Sequence, residues 1–267
     1  MKNKGLFCAY SKIMILTDTH THIYYEEDSF NRAELINRCL QNEVTRLFLP
    51  NVDQDSIAPM SSLVDTYPTY CFPMIGLHPC SVKDDYLIVL KKMHEYASRK
   101  NYVAIGEIGI DLYHDRTFLE QQKHTFSIQL NWAIELNLPI AIHCRNAFEE
   151  VYHILKFFKG NIKGIFHCFS GSLEQAKRII DLGFYLGIGG VLTYKNSGLV
   201  SVVEEVELTN IVLETDAPYL TPVPHRGKPN ESAYLIYVAE KIADIKGTSI
   251  QEVADITTQN SVNIFGV

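Results

Sequence analysis

Histidine pairs and lone carboxylates are the residues of this chain with the clearest chemical potential. Residues 17–22 read TDTHTH, which places His20 and His22 two positions apart. In an extended chain, residues two apart point to the same side, so these two imidazoles can bind one metal ion. An isolated pair of this kind also fits two polar loop residues. Other positions must therefore support the metal interpretation.

Four further candidates lie in or just after short apolar segments. Glu107 interrupts the run AIGEIG, His143 ends IAIH, His167 ends GIFH, and Asp216 follows IVLET. Burial of a lone carboxylate such as Glu107 is unfavourable unless it is paired or bound to a cation. One buried histidine or glutamate is usually structural, but six residues placed in this way are difficult to explain as parts of a core. We therefore predict that they form a metal site.

The ligand types narrow the choice of metal. Imidazole and carboxylate ligands without cysteine suit Zn²⁺ or Mn²⁺, and the carboxylates leave Mg²⁺ possible. Cys144 and Cys168 directly follow His143 and His167. Alternation along a strand turns neighbouring side chains to opposite faces, so both thiols are predicted to be core residues outside the metal site.

Eight short apolar segments alternate with longer amphipathic segments, which is typical of β/α units around a parallel sheet. The predicted strands span 13–18, 46–50, 71–76, 103–109, 139–143, 164–167, 184–188 and 210–214. The predicted helices span 31–41, 55–67, 87–99, 120–136, 147–158, 173–182, 197–206, 232–246 and 250–264. Eight such units predict an α/β fold, a single-domain (β/α)8 TIM barrel with an extra C-terminal helix. An open doubly wound sheet is the alternative.

Composition and charge exclude several classes of protein. The 267 residues are 46% hydrophobic and 21% charged, which is ordinary for a globular protein and excludes fibrous and disordered classes. The net charge of −7 excludes a protein that coats nucleic acid, although an enzyme that contacts a few phosphates remains compatible.

The cysteines and the N-terminus bear on location. The six cysteines form no CxxC pair, which indicates reduced thiols and a cytoplasmic protein. No apolar run approaches the roughly 18 residues that a membrane span needs, so no membrane association is expected. Residues 1–13 are interpreted as an optional extension, because Met14 directly precedes the segment ILTD at 15–18. Residues 14–267 are assigned to the barrel.

The order of the motifs identifies a family. From about Leu16 to the C-terminus, the chain resembles the TatD family of metal-dependent deoxyribonucleases, within the amidohydrolase-like barrels. The motifs that carry the resemblance are the HxH pair, GLHP at 76–79, GEIGID at 106–111, IHCR at 142–145, HCFSG at 167–171, ETDAPYL at 214–220 and RGKPNE at 226–231. The family usually continues the last motif with proline, whereas this chain has Ser232. We expect Ser232 to act as a helix N-cap.

The resemblance implies two divalent metal ions (Mg, Mn or Zn) and a hydrolase that cleaves DNA, a 3′–5′ exodeoxyribonuclease acting on short or single-stranded DNA. The implied ligands are His20, His22 and Asp216 for one metal, His143 and His167 for the other, and Glu107 as the bridge. The expected reaction is attack of a metal-bound hydroxide on phosphorus, with Asp216 as the proton acceptor. Asp216 and Glu107 are thus the predicted catalytic residues.

Five more residues are predicted to contact the substrate. Arg145 and Arg226 can each form paired hydrogen bonds to phosphate oxygens. Ser170 precedes a helix whose N-terminus can bind an anion. His78 and Tyr113 follow strands and can stack on a nucleotide or hydrogen-bond to it.

Other functions remain open at this stage. The same two-metal site fits a barrel amidohydrolase that cleaves a cyclic amide or ester, or an enzyme that hydrolyses the ester of mischarged aminoacyl-tRNA. Many amidohydrolases bridge their metals with a modified lysine at the fourth strand, where this chain has Glu107, and that difference disfavours the first alternative. A non-catalytic, metal-loaded scaffold is the third possibility. No obligate protein partner is evident from the sequence.

Overall fold

Eight parallel strands form the barrel that the sequence predicts, in a computed structural model that describes residues 14–99, 101–113 and 115–267. Each strand pairs with the next in chain order, and a bridge between Thr21 and Ala217 joins the first strand region to the last. The strands are β1 (Leu16–Asp18), β2 (Val44–Pro50), β3 (Cys71–Ile75), β4 (Ala104–Asp111), β5 (Ile140–Arg145), β6 (Gly164–Phe166), β7 (Tyr185–Ile188) and β8 (Ile211–Leu213). The alternative of an open doubly wound sheet is therefore wrong.

Helices cover the outside of the barrel. They are α1 (Ser29–Gln41), α2 (Ile57–Thr66), α3 (Tyr86–Ala97), α4 (Leu119–Glu135), α5 (Phe148–Lys156), α6 (Leu173–Asp181), α7 (Leu199–Glu205), α8 (Leu235–Lys246) and α9 (Ile250–Phe265). The predicted extra C-terminal helix is α9, which packs against β1, β8 and α8. Among the helices of the described residues, none is long and apolar enough to cross a membrane.

Ser232 does not act as a helix N-cap. Ser232 is the first residue of a short 3₁₀ helix and its hydroxyl donates to Thr21 Oγ1, so the predicted N-cap role is wrong. The Ser232 hydroxyl is therefore used in a buried hydrogen bond to Thr21 and is not available to cap a helix.

The proposed extension, residues 1–13, lies outside the described residues and stays a prediction.

A hydrophobic plug fills part of the barrel interior. It includes Ala141 of β5 and Ile165 of β6, and Phe265 at the end of α9 belongs to the same cluster. His143 and His167 each come two residues after a plug residue, so strand alternation directs them to the same side. Apolar side chains thus fill the barrel interior below the C-terminal ends of the strands. The polar side chains lie at those C-terminal ends.

An irregularity in β4 brings Glu107 to the interior. The pairing of β4 with β5 shifts register between Ile105 and Ile108. Ala104 belongs to the plug, and strict alternation would send a residue three positions later to the opposite face. The irregularity shifts the alternation of side chains by one residue, so that the Glu107 carboxylate faces the barrel interior.

Gly109 illustrates how closely β4 and β5 approach. Its φ of 148° is unfavourable for other residues, and a Cβ atom would lie 1.9 Å from the carbonyl oxygen of His143.

We expect Gly109→Ala to lower the free energy of unfolding by about 3 kcal/mol, because the two strands must separate. Urea unfolding measures this loss. Gly160→Ala is the control: its φ of 82° is also strained, but no atom lies within 4 Å, so about 1 kcal/mol is expected. Equal losses in the two variants would contradict the steric argument.

Candidate metal centre

The carboxylate of Glu107 lies between two pairs of imidazoles. Its Oε2 is 3.2 Å from His20 Nε2 and 3.7 Å from His22 Nε2. Its Oε1 is 2.7 Å from His143 Nδ1 and 2.7 Å from His167 Nε2. Each carboxylate oxygen therefore faces a different pair of imidazole nitrogens, and the carboxylate itself is buried, with Glu107 only 3% exposed.

Asp216 joins the pair that contains the HxH motif. Its Oδ1 is 3.6 Å from His22 Nε2 and 3.9 Å from His20 Nε2. Its backbone N–H donates to the carbonyl of His20 at 2.9 Å, which ties the end of β8 to the end of β1. All six residues that the sequence singled out as metal ligands thus meet at one end of the barrel.

Asp18 holds the HxH segment in place and was missed by the sequence analysis. Its fully buried carboxylate accepts hydrogen bonds from the backbone N–H of His20 at 3.2 Å and from both the N–H and the hydroxyl of Thr215, at 2.9 and 2.6 Å. Burial raises the pKa of Asp18 to about 7, in spite of these hydrogen bonds. The signal was present in the sequence, since a carboxylate within an apolar strand directly precedes the motif.

Tyr24 sets the orientation of His22. The Tyr24 hydroxyl donates its proton to the carbonyl of Pro50 at 2.6 Å, so its oxygen accepts from His22 Nδ1 at 3.0 Å. With the ring proton held on Nδ1, the lone pair of Nε2 is directed at the centre.

Two further carboxylates lie behind the imidazoles of His143 and His167. His143 Nε2 donates to Asp111 Oδ2 at 2.8 Å, which leaves Nδ1 for Glu107. Glu214 Oε1 lies 3.7 Å from His167 Nδ1. Carboxylates behind metal-binding histidines fix the ring and increase its basicity. Both residues stand in motifs identified from the sequence, GEIGID and ETDAPYL, but nothing in those motifs assigned them a role.

The electrostatics of the centre favour a bound cation. Burial alone would raise the pKa of Glu107, but the charges of His167, His78 and His20 outweigh it and hold that pKa well below its usual range. Burial alone would lower the pKa of His167, and Glu107 instead raises it well above the usual value. The buried Glu107 carboxylate is stabilised by positive charge on the histidines around it. A divalent metal ion bound by these nitrogen and carboxylate groups would supply that positive charge instead.

His78 lies closer to the centre than a substrate contact requires. Its Nε2 is 3.3 Å from Glu107 Oε1 and 3.3 Å from His143 Nδ1. Its Nδ1 accepts from the backbone N–H of Cys80 at 3.1 Å. In the neutral ring the proton is therefore on Nε2, so His78 presents a hydrogen-bond donor to the centre.

Arg145 and Tyr113 lie together at the mouth of the barrel. The Arg145 guanidinium carbon is 3.8 Å from the centroid of the Tyr113 ring, and both side chains are exposed. Arg145 follows His143 by two residues in β5, so it stands above the centre on the same strand. A guanidinium stacked on a ring keeps its positive charge, which at the mouth of the barrel can attract an anion.

Arg226 is held by the loops that follow β7 and β8. Its guanidinium carbon is 4.0 Å from the centroid of the Tyr194 ring, and it donates to the Tyr194 hydroxyl and to the carbonyl of Thr221. Part of its hydrogen-bonding capacity is therefore already used within the protein.

Ser170 is exposed at the edge of a cavity of about 460 Å³ that His167 also lines. The helix that follows begins at Leu173, and Ser172 caps it through a capping box with Gln175. This box uses N–H groups that the predicted anion site at the helix N-terminus would have needed.

The two cysteines next to the histidines lie outside the clusters of potential ligands in the described residues, as expected. The reason given for Cys168 was wrong, however. Strand β6 ends at Phe166, and Cys168 has a φ of 48°, so strand alternation does not extend to it. Burial raises the pKa of its thiol well above the usual value, which keeps the sulfur protonated.

Comparisons with known proteins agree with this geometry. The family model described as TatD related DNase matches residues 17–266, a span that includes all six candidate ligands. YabD of Bacillus subtilis, named an uncharacterized metal-dependent hydrolase, is 38% identical over 255 residues that cover 95% of this chain and 100% of the relative. A Pantoea ananatis protein named 3′-5′ ssDNA/RNA exonuclease TatD is 28% identical over 244 residues, which cover 89% of this chain and 94% of that protein.

A solved structure extends the comparison to the fold. The crystal structure of YjjV, a TatD homologue from Escherichia coli, matches with a TM-score of 0.87 and 29% sequence identity. The match covers 96% of this chain and 100% of that one. The two chains therefore share the barrel fold over nearly their whole length.

We expect Asp111→Asn to weaken metal binding by about tenfold, because it removes the negative charge behind His143 while keeping the size of the side chain. Calorimetric titration of chelator-treated protein with Mn²⁺ or Zn²⁺ measures the affinity. Asp115→Asn is the control, since Asp115 is exposed and its carboxylate accepts hydrogen bonds from Thr117. Unchanged affinity in Asp111→Asn would contradict the supporting role.

Proposed function

Because the chain belongs to the TatD-related DNase family of metal-dependent hydrolases, we propose that it hydrolyses phosphodiester bonds of DNA. The proposed activity is that of a 3′–5′ exodeoxyribonuclease on short or single-stranded DNA. The observation that carries the proposal is the position of Glu107, whose two oxygens face separate groups of potential ligands. The name of the Pantoea ananatis relative supports a nucleic-acid substrate.

The proposed cofactors are two divalent ions: Mg, Mn or Zn. In this proposal His20, His22 and Asp216 would hold one ion, His143 and His167 would hold the other, and Glu107 would serve both. When bound, the two ions would lower the pKa of water and polarise a phosphoryl oxygen of the substrate. The support is that a ring nitrogen of each of these four histidines lies 2.7–3.7 Å from an oxygen of Glu107.

The chain's own residues supply the remaining chemistry. Asp216 is the proposed proton acceptor, since its side chain is 15% exposed and thus reaches water as well as His22. His78 directs an N–H to the centre and can donate to a phosphate oxygen. Arg145, held flat on Tyr113, offers paired N–H groups to the same phosphate.

The overall charge is compatible with this substrate. At a net charge of −7 the protein does not attract polyanions over its whole surface, so binding depends on the few cations near the centre. A cytoplasmic location remains part of the proposal and rests on the pattern of unpaired cysteines.

The first test combines substrate and metal dependence. A 5′-labelled single-stranded oligonucleotide should be shortened from its 3′ end, EDTA should stop the reaction, and added Mg²⁺, Mn²⁺ or Zn²⁺ should restore it. Glu107→Gln should lower kcat by about 1,000-fold, because one oxygen of the bridge is lost. Glu120→Gln, an exposed residue of α4, is the control and should keep the wild-type rate.

Other outcomes identify the alternatives. Turnover of an aminoacyl-tRNA ester or of a simple amide, with no cleavage of any oligonucleotide, would replace the nuclease proposal by a different hydrolase. Bound metal without turnover of any of these substrates would indicate a metal-loaded scaffold.

The role of Asp216 has its own test. Asp216→Asn should lower kcat by about 100-fold at saturating Mn²⁺, because an amide cannot accept the proton. Metal analysis of the same sample separates this effect from loss of the ion. A variant with full metal content and full rate would exclude the role of proton acceptor and leave Asp216 as a ligand only.

A further inference from the structure

A small cleft adjoins the centre on the side of β1 and β8. It encloses about 240 Å³, and the ring of His22 forms part of its wall. The cleft therefore borders on one of the groups that face Glu107. Pockets for drug-sized ligands enclose about 300–1,000 Å³, so this volume suits a single ring system and not a whole nucleotide.

The wall of the cleft is mainly apolar and is braced. Leu35, Pro218 and Pro229 contribute apolar side chains to the wall, and the two prolines restrict backbone movement. The Tyr25 ring stacks on His22, with centroids 5.2 Å apart and planes within 10°, and Tyr24 contacts Tyr25 edge-on at 4.8 Å. Tyr25 is nonetheless 39% exposed, so an aromatic surface remains available in the cleft.

The charges around the cleft select against an anion. No lysine or arginine is among the described residues that line it, whereas Glu26 and Glu231 do line it. Arg38 Nε lies 2.6 Å from a Glu231 oxygen and offsets that charge, but Glu26 remains. The cleft thus favours a neutral planar group, while the cations at the centre favour a phosphate.

We propose that this cleft binds one nucleobase of a nucleotide whose phosphate lies at the metal centre. The proposal rests on the nuclease function and specifies how that function selects its substrate. A base enclosed by the cleft cannot remain paired, so the nucleotide there must be single-stranded or unstacked from its partner. Stacking on Tyr25 is independent of the identity of the base, because every base has a π face.

The test compares single-stranded oligonucleotides of one sequence that carry either a normal nucleotide or an abasic tetrahydrofuran residue on each side of the cleaved bond. For one of these two positions, loss of the base should lower kcat/KM of the wild-type protein about tenfold. Equal kcat/KM for normal and abasic substrates at both positions would overturn the proposal while leaving the nuclease function intact.

Variants that fill the cleft test whether the missing base lowers kcat/KM because it no longer binds in the cleft. Leu35→Trp should lower kcat/KM for the normal oligonucleotide about tenfold and leave the abasic one unchanged, because only the base competes with the added ring. Leu87→Trp, at a 51% exposed position of α3, is the control and should change neither value. Leu35→Phe is a smaller substitution that serves if the tryptophan variant does not fold, and circular dichroism together with metal analysis checks both.

The remaining outcomes are distinct. An equal loss on both substrates in the Leu35 variants would mean that they disturb the centre itself, and it would overturn the proposed base site. Failure of the wild-type protein to cleave any oligonucleotide with any of the three metals would overturn the nuclease function and this proposal together.

Discussion

The burial of one ionised carboxylate is the constraint on which the rest of this structure depends. Glu107 lies at the centre of the barrel, and the cost of removing its charge from water is several kcal/mol unless both oxygens have partners. The partners come from strands far apart in sequence: His20 follows β1, His143 belongs to β5 and His167 follows β6. The closed barrel is what brings these ends within about 3 Å of one carboxylate.

A second layer of hydrogen bonds makes that arrangement rigid. Two of the imidazoles that face Glu107 have a hydrogen-bond partner on their other ring nitrogen. His22 is held by the Tyr24 hydroxyl and His143 by the Asp111 carboxylate. Asp18 adds a link between the backbones of the first and last strand regions. Candidate ligands fixed in this way would need little rearrangement to bind a cation, so binding energy would not be spent on ordering them.

Much of the fold and of the six-residue cluster that contains Glu107 could be predicted from the sequence, because both depend on local patterns. Short apolar segments separated by amphipathic ones gave all eight strands and the extra helix, although β1 begins three residues later than expected, at Leu16. His20 and His22 were singled out by their spacing, and the other four positions supported the metal interpretation. Glu107 was identified because a carboxylate within an apolar run conflicts with burial, and such a conflict is visible without knowledge of any partner.

The tertiary structure alone decided which side chains meet across the barrel. Asp18 and Thr215 are 197 residues apart, and Ser232 and Thr21 are 211 apart, so neither hydrogen bond has a sequence signature. The same holds for the cleft beside His22, which forms between segments that follow β1 and β8. Periodicity reports which face of an element is buried, since that is a property of neighbouring residues. Contacts between strand ends depend on the register and curvature of the whole sheet, which no single segment contains.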